Sequence, residues 1–143
     1  MSVPGATRSL TIAAKPAPLS AVTEFVRKGA LEASLPEARI GELDLLIDEL
    51  LMNVSIHAYP DDMPGDVTVT YSVPAPGELS VELADQGVEF NPLKTEPPDL
   101  TLSLQDRPIG GLGIHLVKTI ATSLSYRREQ GWNRLTFGIS AGS

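Results

Sequence analysis

Between Leu43 and Pro60 apolar residues recur every three or four positions, a period that predicts one long helix. At about 100° per residue, Leu43, Leu46, Ile47, Leu50, Leu51 and Val54 form one apolar arc, and Leu45, Met52 and Ile56 form a second. Asp44, Asp48 and Ser55 share the sector expected to face water. Glu49 and Asn53 fall between the arcs, in a sector expected to be buried, where a polar group is costly unless something satisfies it. A bound metal ion is one such partner. Just upstream, Leu35-Pro36-Glu37 reads as a helix start, since proline suits the first turn and an acid suits the positive end of the helix dipole.

Either side of this helix the period changes. Ser9 to Ala13 alternates weakly and predicts a first strand, suited to a sheet edge. After the breakers Lys15-Pro16-Ala17-Pro18, the residues Leu19, Val22, Phe25, Val26, Gly29 and Ala30 return to helical spacing. Beyond the turn residues Asp61 to Asp66, Val67, Val69, Tyr71 and Val73 alternate with polar neighbours. Leu79, Val81 and Leu83 do the same after Pro74-Ala75-Pro76-Gly77, so the pair predicts a half-buried hairpin. Asp85 continues the odd-numbered series and should point to the apolar side. From Gln86 to Pro108 periodicity is lost, and a structureless stretch this long predicts a lid or binding loop. Leu116, Val117, Ile120 and Leu124 then mark a third helix, opened by Gly110-Gly111-Leu112-Gly113. Leu124 to Arg128 and Trp132 to Ile139 predict strands around a turn at Gln130-Gly131. This order favours an α+β two-layer sandwich, with a mixed, mostly antiparallel sheet carrying its helices on one face.

Composition narrows the function classes. The 143 residues suit a single domain with one core. Cysteine is absent, which excludes disulfides, thiolate nucleophiles and cysteine zinc sites. The net charge of -7 argues against a primary nucleic-acid binder, because phosphate backbones demand a basic footprint. Neither a secretory leader nor a membrane span is visible in the pattern, so no membrane association and a cytoplasmic location are expected.

Each candidate group also has a bland reading. Glu49 and Asn53 can be an ordinary helical pair, Asp85-Gln86-Gly87 an ordinary strand-ending turn, and the glycine trio an ordinary loop. The chemical reading is that Mg²⁺ takes a hard oxygen from Asn53 together with nucleotide phosphates. One turn earlier, Glu49 can take a proton from a hydroxyl. Asp48 competes for that role, but its wheel position points to solvent. A buried Asp85 can accept from an exocyclic amino group, and glycines at a helix entrance let phosphate approach backbone N–H groups. His57 and His115 have no second histidine at ligand spacing and are read as structural, and Trp132 as packing.

Together these pieces are more specific. Glu49-x-x-x-Asn53, Asp85-x-Gly87, a long loop and Gly110-Gly111-x-Gly113 opening a helix, in this order, resemble the Bergerat-fold ATP-binding domain of the histidine-kinase-like (GHKL) ATPase superfamily. The segments ELLMNVSIHAYP, DQGVEFNP and GGLGIHLVKTIATSLSYRREQGWNRLTF are similar to the small bacterial serine kinases that act as anti-sigma factors. The resemblance implies ATP and Mg²⁺ as cofactors. It matches Asn53 to the Mg²⁺-holding asparagine, Glu49 to the catalytic base and Asp85 to the acid that reads the adenine amino group. Gly87, Gly110, Gly111 and Gly113 match the glycines of the nucleotide pocket and its lid. It further implies a homodimer, a sigma factor as partner and an anti-sigma antagonist protein as phosphorylation substrate. One departure stands: Glu89 occupies the place of the family's second glycine after Asp-x-Gly, which bears on the lid hinge rather than on the adenine contact. The alternative is a nucleotide-gated binding module without kinase activity, and retention of Glu49 favours the kinase. No Walker pattern and no HRD or DFG kinase motif occurs.

Overall fold

The computed structural model describes residues 7–94 and 111–142. Strand β1 (Thr7–Ala13) leads into helices α1 (Leu19–Glu32) and α2 (Glu37–Asn53). A π-helical turn (Val54–Ala58) extends α2 before the hairpin β2 (Asp66–Ala75) and β3 (Glu78–Asp85). A short 3₁₀ turn at Pro92–Lys94, helix α3 (Gly111–Ile120) and the hairpin β4 (Ser123–Glu129) and β5 (Trp132–Ser140) complete the order. The predicted starts hold: Pro36 sits at the N-cap of α2 with Glu37 in its first turn. The tight β4–β5 turn uses positive φ at Gln130 and Gly131, the backbone that a two-residue hairpin requires.

The five strands form one sheet in the order β1-β2-β3-β5-β4, with β1 at an edge as its weak alternation suggests. All four pairings are antiparallel, so the described residues contain no parallel pair, and the mixed element of the expectation is absent. Successive inward rows cross the sheet. Arg8, Tyr71, Val81, Phe137 and Leu124 share one, and Leu10, Val69, Leu83, Leu135 and Tyr126 the next. The final row toward the site end is Ile12, Val67, Asp85, Asn133 and Arg128, where the apolar face turns polar.

Helices cover only this inward face, and the α2 side chains Leu43, Leu46, Ile47 and Leu50 are almost wholly buried against it. Each such burial is worth about 1.5–3 kcal/mol, and packing of this kind supplies most of a helix's stability in a folded protein. The opposite sheet face is polar, with hydroxyl pairs Ser9–Thr70 at 2.8 Å and Thr11–Thr68 at 2.9 Å.

Two further expectations need correction. The second apolar arc of α2 is not buried: Leu45, Met52 and Ile56 are 52%, 38% and 40% exposed. A two-layer fold supplies one covering surface, so a helix in the outer layer has only one face to bury. Leu124 does not belong to the third helix, which ends at Ile120; it lies in β4 opposite Phe137. Its apolar side chain fits either period, and strand pairing decides. Among the described residues, no helix is long and apolar enough to cross a membrane.

Candidate active site

The last inward row builds one wall of the site. Asp85 and Asn133 face each other across β3 and β5, with exposures of only 3% and 4%. Asp85 Oδ1 accepts from the Gly87 N–H at 2.9 Å and from Asn133 Nδ2 at 2.8 Å. Its Oδ2 has no protein donor among the described residues. Burial pushes the Asp85 carboxyl above its ordinary range, opposed by the Asn133 amide, the Gly87 N–H and the Arg128 charge. The Arg128 guanidinium donates to the Gly87 carbonyl at 2.8 Å and ties the turn after β3 to the edge strand.

The end of α2 builds the opposite wall. Asn53 is 4% exposed, and its Nδ2 donates to the Glu49 carbonyl at 2.9 Å and to Glu49 Oε2 at 3.2 Å. Both amide protons are thereby engaged on the Glu49 side, which leaves Oδ1 as an acceptor with no protein donor among the described residues. Glu49 is half-buried, whereas Asp48 is exposed as its wheel position predicts. Burial raises the Glu49 carboxyl, and the Asn53 hydrogen bond partly offsets this.

Immediately after Asn53 the winding widens. The Tyr59 N–H bonds back to the Val54 carbonyl at 3.1 Å, and the Ala58 carbonyl is released to accept from Val88 N–H at 2.7 Å. Such π turns are frequent at functional sites. This one docks the helix end on the Asp85 turn. Gly87 is required there, because a Cβ would lie 2.2 Å from the Ala58 oxygen and 2.7 Å from its carbon. Gly87→Ala should therefore destabilise the protein by about 1–3 kcal/mol, the usual cost of overpacking. Denaturant unfolding measures this, and an unchanged midpoint would refute the close approach.

Asn53 and Asp85 line the same narrow cleft of about 20 Å³, with Leu50, Phe90, Tyr126 and Asn133 among the other walls. Few convergent polar groups among apolar walls is the usual chemistry of small-ligand pockets. His57 does not enter this lining; its ring stacks on Phe90 at 4.3 Å. His115 supplies a backbone acceptor to the Thr119 hydroxyl at 2.9 Å. Gly111 and Gly113 lie in the first turn of α3, while Gly110 and the loop from 95 onward lie outside the described residues, taking most of the expected lid with them. Glu89 is exposed. Among the described residues no three His, Cys, Asp or Glu side chains gather as a metal cage. One amide oxygen beside one carboxylate fits an ion held mainly by phosphates and water, which is the habit of Mg²⁺.

Sequence reasoning missed Asn133, Tyr126 and Arg128. The signal was present, because Asn133 begins the odd-numbered series Leu135, Phe137, Ile139 just as Asp85 ends its own.

Fold and cleft together define an ATPase domain of the histidine-kinase type. The sequence profile of the histidine kinase-like ATPase domain family matches residues 12–139, and the chain belongs to that family. Among its relatives, the serine/threonine-protein kinase BtrW of Bordetella bronchiseptica is 36% identical over 94 residues, covering 66% of each chain. The serine-protein kinase RsbW of Bacillus cereus is 29% identical over 96 residues, covering 64% of this chain and 59% of the relative. The match thus spans about three fifths to two thirds of these curated relatives, and both carry the kinase activity that the sequence resemblance implies. The RsbU and RsbW domains of a Mycobacterium tuberculosis protein superpose with a TM-score of 0.63 at 14% identity, over 96% of this chain and 32% of that one. The histidine kinase domain of an Erythrobacter litoralis blue-light-activated kinase gives 0.53 at 22%, over 74% and 46%. These two likenesses are of fold alone.

Proposed function

We propose that this chain is an ATP-dependent protein serine/threonine kinase of the anti-sigma type, which sequesters a sigma factor and phosphorylates a small antagonist protein. The observation that carries this reading is the single cleft lined by Asn53 and Asp85, with the Glu49 carboxylate hydrogen-bonded to the Asn53 amide. Asp85 Oδ2 receives the adenine amino group. Asn53 Oδ1 would hold Mg²⁺, which would supply charge neutralisation at the phosphates. Gly87 lets the turn after β3 close on the Ala58 carbonyl, and the backbone N–H groups of Gly110, Gly111 and Gly113 are the donors for the phosphates. Glu49 accepts the proton of the incoming serine or threonine hydroxyl as its oxygen bonds to the terminal phosphorus and the bond to ADP breaks. A homodimer working in the cytoplasm completes the reading.

Removal of the metal ligand separates this site from an accidental cleft. Asn53→Ala should weaken Mg²⁺-dependent ATP affinity at least about tenfold, equivalent to about 1.4 kcal/mol, while affinity measured without Mg²⁺ changes little. Equal losses with and without the ion would contradict the assignment. The kinase reading is tested by mass spectrometry after incubation with Mg-ATP and a co-encoded antagonist. One phosphoserine or phosphothreonine on the antagonist is expected, and the phosphorylated form should bind more weakly. The phosphate adds about -1.5 to -2 charge to a complex whose other member already carries -7. A partner that binds only with ATP yet never gains phosphate would favour the nucleotide-gated binding module.

A further inference from the structure

We infer that Asn133 fixes Asp85 as a one-sided acceptor and so sets the choice of an amino purine over an oxo purine, an inference that rests on the nucleotide-binding reading above. The Asn133 amide is fully engaged. Its Nδ2 donates to Asp85 Oδ1 at 2.8 Å and to the Val88 carbonyl at 2.9 Å. Its Oδ1 accepts from the Tyr126 hydroxyl at 2.6 Å and from the Phe90 N–H at 3.3 Å. Two donors and two acceptor positions are the whole capacity of an amide. Rotating it by half a turn would set its oxygen against a carboxylate and a carbonyl, and its NH₂ against an N–H. The Phe90 N–H therefore locks the orientation from one side, with the Tyr126 hydroxyl holding the same oxygen, and Asp85 and Val88 lock it from the other.

The consequence falls on Asp85. With Gly87 N–H and Asn133 both on Oδ1, the carboxylate has two donors on one oxygen and none from the described residues on the other. Oδ2 is the acceptor left for a ligand in the cleft. An amino group on a purine edge satisfies it, whereas an oxo group sets lone pair against lone pair. Burial already favours protonation of this carboxyl, and Asn133 is the largest influence opposing it. Without Asn133, Asp85 is freer both to turn and to hold a proton, and a protonated carboxyl can donate to an oxo group. Discrimination then collapses from both sides. Asn133 is on this account a positioning residue, acting on the base through Asp85.

The test compares ATP with inosine triphosphate, which carries an oxo group and a ring N–H where adenine has an amino group and a bare nitrogen. Isothermal titration of the wild-type chain should give at least about tenfold preference for ATP, the scale of one mispaired buried polar group. Asn133→Leu should bring the two affinities to within a few-fold, by weakening ATP and sparing or strengthening the inosine nucleotide. A purely structural role would weaken both alike and leave the ratio standing. Tyr126→Phe keeps the ring and frees one end of the amide, so it should lower the ratio in the same direction by less. If Asn133→Leu does not fold, Tyr126→Phe decides alone. A wild-type preference that persists in the folded variants overturns the role of Asn133 and leaves the nucleotide site intact. A wild-type chain that binds neither nucleotide overturns the nucleotide reading and this inference with it.

Discussion

Glu49→Gln should lower phosphoryl transfer by about 10²–10⁴-fold, the usual contribution of a positioned base, while ATP affinity stays near that of the wild type. Glutamine keeps the shape and an oxygen for the Asn53 Nδ2 bond, so the helix end should not rearrange. What it loses is the capacity to accept a proton. The pH profile gives an independent check. Burial raises the Glu49 carboxyl above its ordinary value of 4.5, and the Asn53 amide offsets only part of that. A base acts when ionised, so transfer should rise with pH through the raised value, and this limb should vanish in Glu49→Gln. Asp48 is exposed on the neighbouring position, and Asp48→Asn should leave turnover close to wild type. A large loss in Asp48→Asn with none in Glu49→Gln would reverse the assignment.

Asp85→Asn should cost nucleotide affinity without costing stability. Hydrogen bonds to charged groups are worth about 1.5–3 kcal/mol, or roughly 10- to 150-fold in affinity. The substituted amide can turn its oxygen to Gly87 and Asn133, which leaves its NH₂ facing the amino group of the base. Stability should move the other way. The folded carboxyl is raised above its ordinary 3.8, so the folded state holds this proton more tightly than the unfolded chain. The stabilisation is present below the unfolded value and is lost as pH rises through the folded one. At neutral pH the ionised group is therefore a cost, and Asp85→Asn removes it. Thermal unfolding of the nucleotide-free variant should show a midpoint equal to or above wild type. A lowered midpoint would mean that Asp85 serves packing before ligand recognition.

Much of this was legible because the chain keeps its two periods cleanly. Val67, Val69, Tyr71 and Val73 alternate inward without a break, and the same parity carries Asp85 to the cleft. The helical wheel separated Asp48 from Glu49 and brought Asn53 to a buried position. It failed for Leu45, Met52 and Ile56, because periodicity reports that a face is apolar and not whether a second layer exists to cover it. The change of winding after Asn53 had no signal either. It follows from docking of the Ala58 carbonyl on Val88, a contact between segments about 30 residues apart in sequence. Arg128 was hidden for a different reason: it shares the inward parity of Leu124 and Tyr126, but only the register opposite Asn133 shows its guanidinium meeting the Gly87 carbonyl.

The most direct measurement is a titration of isotope-labelled protein with Mg-ATP, followed by nuclear magnetic resonance, for which a 15.2 kDa chain is well suited. The side-chain amide signals of Asn53 and Asn133 and the backbone signals of Asp85 and Gly87 should shift together along one saturating curve. Ser9, Thr11 and Thr70 on the far sheet face should stay in place. Shifts confined to that far face, or saturation that leaves the Asn53 and Asn133 amides unmoved, would contradict the claim that this cleft is the nucleotide site.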